Sequence, residues 1–322
     1  MSYVAGDKIL DQEYNNFLNS SATPKGINYI FGTGANQWGL GQTELSAVVV
    51  GDKITAAQWN SLFSAMDNVA NHTNDTLSST DAKTAGDVIA VKAALEADLT
   101  TLAASVANGS PNATALSTSA ALQTSASGTR YAGSHIVEHS VTFTNANQAR
   151  WFFNAGGKIQ INITRTGNGG ASATSKDSSV SELITGLGDF QLKSQTSSRS
   201  GSGETLSTDG TNIGFYDLTT SYQTIIELTQ NSGTYTTMFF KVEAKADAAA
   251  GSATVVTIKT SIVDPDAGDS EFTAGNTESV DQYANFIGTT NVILKTVDPT
   301  TAEGLSVVYT PSATEVVSNA TA

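Results

Sequence analysis

Between Ala56 and His72 the apolar positions Trp59, Leu62, Phe63, Met66, Val69 and Ala70 recur at helical spacing behind a Thr55-x-x-Gln58 capping pattern, which predicts a helix with one apolar stripe. From Thr80 to about Val106 the stripe narrows to Val88, Val91, Leu95, Leu99, Leu102 and Val106, with Ala, Thr and Asp between them. Such a seam fits a coiled-coil or bundle helix that needs partners. The next stretch, 107–130, is poor in charge and rich in Ser, Thr and Ala, and reads as a linker or a sparsely packed stalk. Beyond Tyr131 the period becomes two: Val137, His139, Val141 and Phe143, then Ile159, Ile161 and Ile163, later Tyr235 to Val242 and Thr254 to Val263. Gly- and Asn-rich turns separate these runs, which predicts an antiparallel sandwich of about eight strands. One helix interrupts it, capped by Ser179-x-x-Glu182 and buried through Val180, Leu183, Ile184 and Leu187. The expected fold is therefore α+β and multidomain: N-terminal helical repeat units over 1–79, a helical connector and linker over 80–130, and an antiparallel β-sandwich over 131–322.

The repeat units rest on a four-residue motif. Gly-Asp-Lys-Ile occurs at Gly6 to Ile9 and again at Gly51 to Ile54, and five residues after each Ile stands an aromatic followed by Asn, namely Tyr14-Asn15 and Trp59-Asn60. Phe17-Leu18 and Leu62-Phe63 then carry the same apolar spacing. A third start, Gly86-Asp87-Val88-Ile89, opens a helical pattern without the aromatic-Asn pair. Small units that cannot bury an apolar face alone stack on one another or on a partner. Between the first two lies a glycine-punctuated loop, 31–42, whose Phe31, Trp38 and Leu40 are expected to pack onto the helices. Tyr14 and Trp59 read as core aromatics in preference to sugar-stacking platforms, and Asn15 and Asn60 as side chains bonded to backbone at a tight contact.

These units, together with Ala149-Arg-Trp-Phe-Phe-Asn-Ala-Gly-Gly-Lys-Ile159 and Gly214-Phe-Tyr-Asp-Leu218, resemble virion structural proteins of tailed phages, nearest to fibre-like or neck and tail proteins of large marine and cyanobacterial phages. The most specific piece is Trp151 to Gly157, read as an aromatic strand running into a Gly turn. The resemblance implies an N-terminal assembly region, a helical connector and a β-rich distal domain in a homo-oligomer; a trimer is favoured because the Val88 to Val106 seam is too narrow and too poor in large residues to be a stable lone helix. Its implied partners are other copies of the chain, other virion proteins of the neck, tail or capsid, and a host surface receptor. Localisation to the virion, after synthesis in the bacterial host cytoplasm, follows. The residues expected to form the core and the assembly contacts are Tyr14, Phe17, Trp38, Trp59, Leu62, Phe63, Val88, Leu95, Leu99, Leu102, Trp151, Phe152 and Phe153.

Charge narrows the partners. Sixteen basic against thirty acidic side chains leave a net charge of −14, which repels nucleic acid and anionic membrane. There is no cysteine, so neither disulfides nor thiolate metal sites contribute. The start MSYVAGDKILDQEYNN has neither a basic n-region nor an apolar h-region, and no stretch approaches the ~20 apolar residues of a membrane span, so the chain is expected to be cytoplasmic or to leave the cell by a route such as lysis.

Two constellations hint at chemistry. His135-Ile-Val-Glu138-His139 matches H-x-x-E-H, which on a helix would chelate zinc beside a general base, but the period-two run through Val137, Val141 and Phe143 makes it a strand with both histidines on the inner or interface face and Glu138 pointing away. Asp264, Asp266, Asp269 and Glu271 gather around Gly268 as calcium candidates, while Asp-Pro and Ala-Gly are also ordinary turn chemistry and favour a solvated hairpin loop. No nucleophile elbow, P-loop or dinucleotide fingerprint occurs. The expected function is that of a non-enzymatic virion structural protein without a cofactor: a fibre, collar or tail-appendage subunit. The alternatives are a capsid decoration protein and a carbohydrate-binding or depolymerase-type adhesin.

Overall fold

The computed structural model describes residues 10–32, 39–87, 92–107, 116–127, 130–166, 175–231, 235–249, 251–265, 285–299 and 309–320. Among these the chain is mixed α+β, with six helices and two antiparallel sheets, and it divides into two compact units. The first comprises 1–117 with 145–157 and 298–308, and the second 118–144, 158–297 and 309–322. The helix predicted within 80–130 falls in the first unit, as does the segment 145–157.

In the first unit, α1 (Asp11–Asn19), α2 (Ile27–Phe31), α3 (Ala56–Thr73) and α4 (Lys92–Ala107) enclose one apolar cluster. The predicted capping box is present at the start of α3: Thr55 Oγ1 accepts from the Gln58 N–H at 3.2 Å, and Gln58 Oε1 accepts from the Thr55 N–H at 2.7 Å. Asn74 ends the helix at φ 60, the left-handed conformation that asparagine tolerates. The narrow seam of α4 is covered from within. Leu95, Leu99, Leu102 and Val106 are all buried in the same cluster as Tyr14, Trp59 and Phe63, so the partners this seam needs are the other helices of its own unit. An ion pair of 3.0 Å between Lys92 and Glu13 joins α4 to α1.

A fifth helix, α5 (Ala146–Asn154), also belongs here. It replaces the aromatic strand expected at Trp151 to Gly157. Asn145 caps it through Gln148 N–H at 3.1 Å, and Ala149, Phe152 and Phe153 form its buried side at helical spacing, which overrides the strand preference of the aromatics. Asn154 Nδ2 donates to Gly39 O at 3.1 Å, and His72 Nε2 lies 2.9 Å from Ala155 O. Gly41, at φ +81, sits so close to Trp151 that a Cβ there would come within 2.6 Å of the indole.

The second unit holds two sheets. The six-stranded one runs β1 (Leu116–Thr118), β12 (Thr289–Pro299), β4 (Lys158–Thr166), β5 (Phe190–Leu192), β6 (Ser197–Arg199), with β2 (Gln123–Ala126) also on β12. The seven-stranded one runs β11 (Asn285–Ile287), β3 (Arg130–Phe143), β10 (Val255–Val263), β9 (Phe239–Ala246), β8 (Gln223–Thr229), β7 (Thr205–Asp209), with β13 (Tyr309–Ala320) also on β3. Val137, Val141, Phe143, Val256, Ile258, Ile262, Phe240 and Val242 line one buried face, the alternation expected of antiparallel strands with one dry side. The one α-helix among the described residues of this unit, α6 (Ser175–Leu187), packs against β4 of one sheet and β8, β9 and β11 of the other. It starts one turn earlier than the Ser179-x-x-Glu182 pattern proposes, and Ser179 is buried inside it.

Candidate functional site

The repeat motif becomes a repeated piece of geometry in the first unit. Asn15 on α1 donates from Nδ2 to Val48 O at 2.9 Å and accepts from the Val48 N–H at 2.8 Å. Asn60 on α3 does the same to Lys83, at 2.9 and 2.8 Å. Val48 and Lys83 each stand three residues before the glycine of the following unit, Gly51 and Gly86. After each clamped residue comes the same turn, closed by Asp52 N–H to Val49 O at 3.0 Å and by Asp87 N–H to Thr84 O at 3.1 Å. Gly51 and Gly86, at φ 91 and 101, take the positive φ that a type II turn requires of its third residue. The asparagine of one unit therefore fixes the entry of the next. Because it contacts only backbone, the clamp leaves the clamped side chain free to differ, Val in one case and Lys in the other.

A third asparagine uses the same grip without the motif. Asn28 on α2 pairs with Leu45 through Nδ2 to O and N–H to Oδ1, both 2.8 Å, and its Nδ2 also reaches Asn19 Oδ1 at 2.8 Å. The segment 45–48 is thus held from two helices. Asp98 of α4 anchors another stretch, its Oδ2 accepting from the N–H groups of Ser78 and Ser79 at 2.9 and 3.0 Å and from Ser79 Oγ at 2.6 Å. No short motif marks Asn28 or Asp98; only the polar residue at a position of the apolar stripe betrays them. We expect Asn15→Ala to cost about 1–3 kcal/mol in urea unfolding, because it strands the backbone groups of the buried Val48. Asn15→Asp should cost at least as much although isosteric, since its carboxylate faces Val48 O with no donor; an unchanged midpoint in both variants would refute the clamp.

The two motif aromatics meet beneath the clamps. Tyr14 and Trp59 stack edge to face at 5.2 Å, Phe17 and Phe63 flank the indole at 6.0 and 5.8 Å, and Tyr14 donates its hydroxyl to Gln58 O at 2.9 Å. Burial pushes the Tyr14 hydroxyl up to about 12. Leu62, Leu95, Leu99 and Leu102 complete this cluster, Phe152 and Phe153 are buried with their rings edge to face, and Trp151 is half-buried. Trp38 and Val88 lie outside the described residues, as do the first Gly-Asp-Lys-Ile and Val91. A cavity of about 250 Å³ opens between Pro24, Tyr29 and Ile30 and the α4 residues Thr100, Ala103 and Ala104. Its walls are mostly apolar, with Lys25 as their one charged side chain.

In the second unit the H-x-x-E-H residues sit on β3. His135 and His139 face inward opposite Ile262 and Ile258 and are 0% and 1% exposed, while Glu138 lies opposite Lys259 on the other face. Four residues along a strand is about 13 Å, too far for two imidazoles to share one zinc ion. No cluster of three potential ligands occurs among the described residues. The outer face instead carries a charge ladder: Lys259 pairs with Glu243 at 2.6 Å, Lys241 with Glu227 at 3.5 Å, and the Tyr222 ring lies 4.1 and 4.3 Å from the ammonium groups of Lys259 and Lys245.

Burial, with the nearby His135 adding to it, holds His139 down at about 4 against an ordinary 6.5. The unfolded chain therefore binds its proton near 6.5, whereas the folded chain refuses it until about 4. Stability from this residue is full above 6.5 and falls as pH drops through that window, by about 3 kcal/mol at its foot. Unfolding midpoints measured from pH 7 to pH 4 should slope downward in the native chain and flatten in His139→Leu; parallel curves would refute the assignment.

The calcium candidates do not form a solvated loop at their first member. Asp264 is buried and its Oδ2 lies 2.6 Å from Lys176 Nζ, so a lysine occupies the place a cation would take. Asp266, Asp269 and Glu271 lie outside the described residues. A second enclosed ion pair, Arg165 to Asp177 at 2.8 Å, links β4 to the first turn of α6. Among the described residues no helix is long and apolar enough to cross a membrane. No family model matches the chain, and neither a curated protein nor a solved structure is found to be similar to it.

Proposed function

We propose that the chain is a non-enzymatic virion structural protein of a tailed bacteriophage, a fibre, collar or tail-appendage subunit joined to its neighbours through the N-terminal unit. The observation that carries this reading is the tandem clamp, in which Asn15 and Asn60 each grip the backbone three residues ahead of the next glycine turn. A connection that reads backbone alone can be repeated along a chain while the surface residues vary, as stacked building units require. The resemblance of the Gly-Asp-Lys-Ile units to virion proteins supplies the particle. The second unit, its sheets read as an antiparallel sandwich with neutral-polar and paired-charge strands, is the outward module that meets a host surface receptor. Homo-oligomerisation belongs to the proposal on the strength of the resemblance; the α4 seam, from which a trimer is expected, has Leu95, Leu99, Leu102 and Val106 covered within its own chain and lends the trimer no support.

Immunogold labelling of purified, salt-washed particles with antibodies against the second unit tests this. Gold at the neck or tail, with the chain present in stoichiometric amount by mass spectrometry of the same particles, is expected. Particles that carry no label and no peptide of this chain would overturn the reading. Release of reducing sugar from host polysaccharide by the purified chain would replace it with a depolymerase.

A further inference from the structure

We propose that Lys176 and Asp264 are the two halves of an intramolecular isopeptide cross-link, a covalent modification site that ties the start of α6 to the end of β10. Their side chains are 0% and 1% exposed, and Nζ stands 2.6 Å from Oδ2. Backbone bonding fixes both ends: Asp264 donates its N–H to Gly133 O at 2.7 Å, and Lys176 is the second residue of a helix packed on both sheets. The ammonium also lies 5.0 Å from the Phe286 ring centre and 6.0 Å from that of Tyr235, so aromatic carbon walls the contact.

Other lysines contact carboxylates, and the contrast with them singles out this pair. Lys92–Glu13, Lys241–Glu227 and Lys259–Glu243 keep 14–28% of each side chain exposed. There the groups are solvated, and water competes with any amine for the acyl carbon. Arg165–Asp177 is as enclosed as Lys176–Asp264, but a guanidinium shares its nitrogen lone pairs with the central carbon and is a poor nucleophile. Among the described ion pairs, Lys176–Asp264 alone combines an amine nucleophile, a carboxyl partner at contact distance and a site closed to solvent.

The step balances without any other reactant. One proton passes from Nζ to a carboxylate oxygen, giving the free amine and the carboxylic acid. The amine lone pair attacks Cγ, forming the N–C bond and a tetrahedral carbon. A second proton moves from nitrogen to the protonated oxygen, the C–O bond breaks, and one water leaves. Fixed proximity stands in for activation, because groups held in attack geometry react as though at very high concentration. Exclusion of bulk water then protects the amide from hydrolysis. The cross-link would give this chain, which has no cysteine, a covalent staple between a helix and a strand distant in sequence.

Intact-mass spectrometry of the full chain under denaturing conditions provides the test. The native protein is expected to be lighter than its sequence by one water, and proteolysis should yield a branched peptide containing both Lys176 and Asp264. Lys176→Met should restore the full sequence mass. Asp264→Asn should lose ammonia in place of water and arrive at the same mass as the cross-linked native chain, because the amide product is identical. A native chain at its full sequence mass leaves the pair purely ionic and overturns the proposal. So does a water loss that persists in Lys176→Met, which would place the dehydration elsewhere, for instance in an aspartyl succinimide. Denaturing mass readings need no folded variant, so instability of Lys176→Met leaves the outcome readable.

Discussion

Replacing Trp59 by alanine should lower the stability of the N-terminal unit by about 3–5 kcal/mol, the usual cost of truncating a buried aromatic. The indole is 3% exposed and touches Tyr14, Phe17 and Phe63, so it joins the core side chains of α1 to those of α3. Its removal leaves a cavity whose walls come from α1 and α3, and α1, at 9 residues, is too short to stand alone in water. Alanine also loses the edge-to-face contact with Tyr14, worth about 0.5–1.5 kcal/mol beyond area. Trp59→Phe, which keeps a ring, should cost far less, and Trp151→Ala, at a half-buried site, should fall between. Urea melts followed by helical circular dichroism give the ranking. A Trp59→Ala midpoint indistinguishable from the native one would show that the two units do not share a core.

Where one element decides its own structure, the sequence is a sufficient guide. Thr55 and Gln58 cap α3 by local bonds alone, and period two from Val137 to Phe143 leaves β3 no other way to bury one face. The inward histidines and outward Glu138 follow from that same period. Asn15 and Asn60 could be assigned to backbone from their place beside a core aromatic, although their acceptors, Val48 and Lys83, emerge only once the chain has folded back.

Misreadings begin where the partner of an apolar stripe has to be chosen. The seam of α4 looks the same whether it is covered by a second chain or by α3, and nothing in Leu95, Leu99 and Leu102 distinguishes the two. Trp151, Phe152 and Phe153 have strand propensity, yet the Asn145 cap and the contacts of Asn154 and Ala155 with Gly39 and His72 settle them as a helix. Asp264 reads as a turn residue beside Pro265 because no local pattern announces a lysine arriving from α6. Apart from the local Asn145 cap, these outcomes depend on contacts between segments distant in the chain. The enclosed ion pairs are therefore the least legible part of the molecule.

Arg165→Met is the sharpest probe of those pairs and should destabilise the sheet unit by about 3–5 kcal/mol, as breaking one side of a buried ion pair does. The side chains of Arg165 and Asp177 are 4% and 1% exposed at a separation of 2.8 Å, so the carboxylate left behind has no access to water. Asp177 lies in the first turn of α6, where the helix dipole offsets part of that penalty, by roughly 0.3–1 kcal/mol. Removing both charges at once should behave differently. Arg165→Met with Asp177→Leu exchanges the pair for apolar volume and is expected to regain most of the loss, since the mutual attraction of two enclosed charges barely exceeds the cost of drying them. Guanidinium chloride is unsuitable here because its own salt screens charge, so urea unfolding of the two single variants and the double variant completes the cycle. A coupling near zero, with the single substitutions costing less than about 1 kcal/mol each, would mean that water reaches the pair and that β4 and α6 are held by their apolar contacts alone.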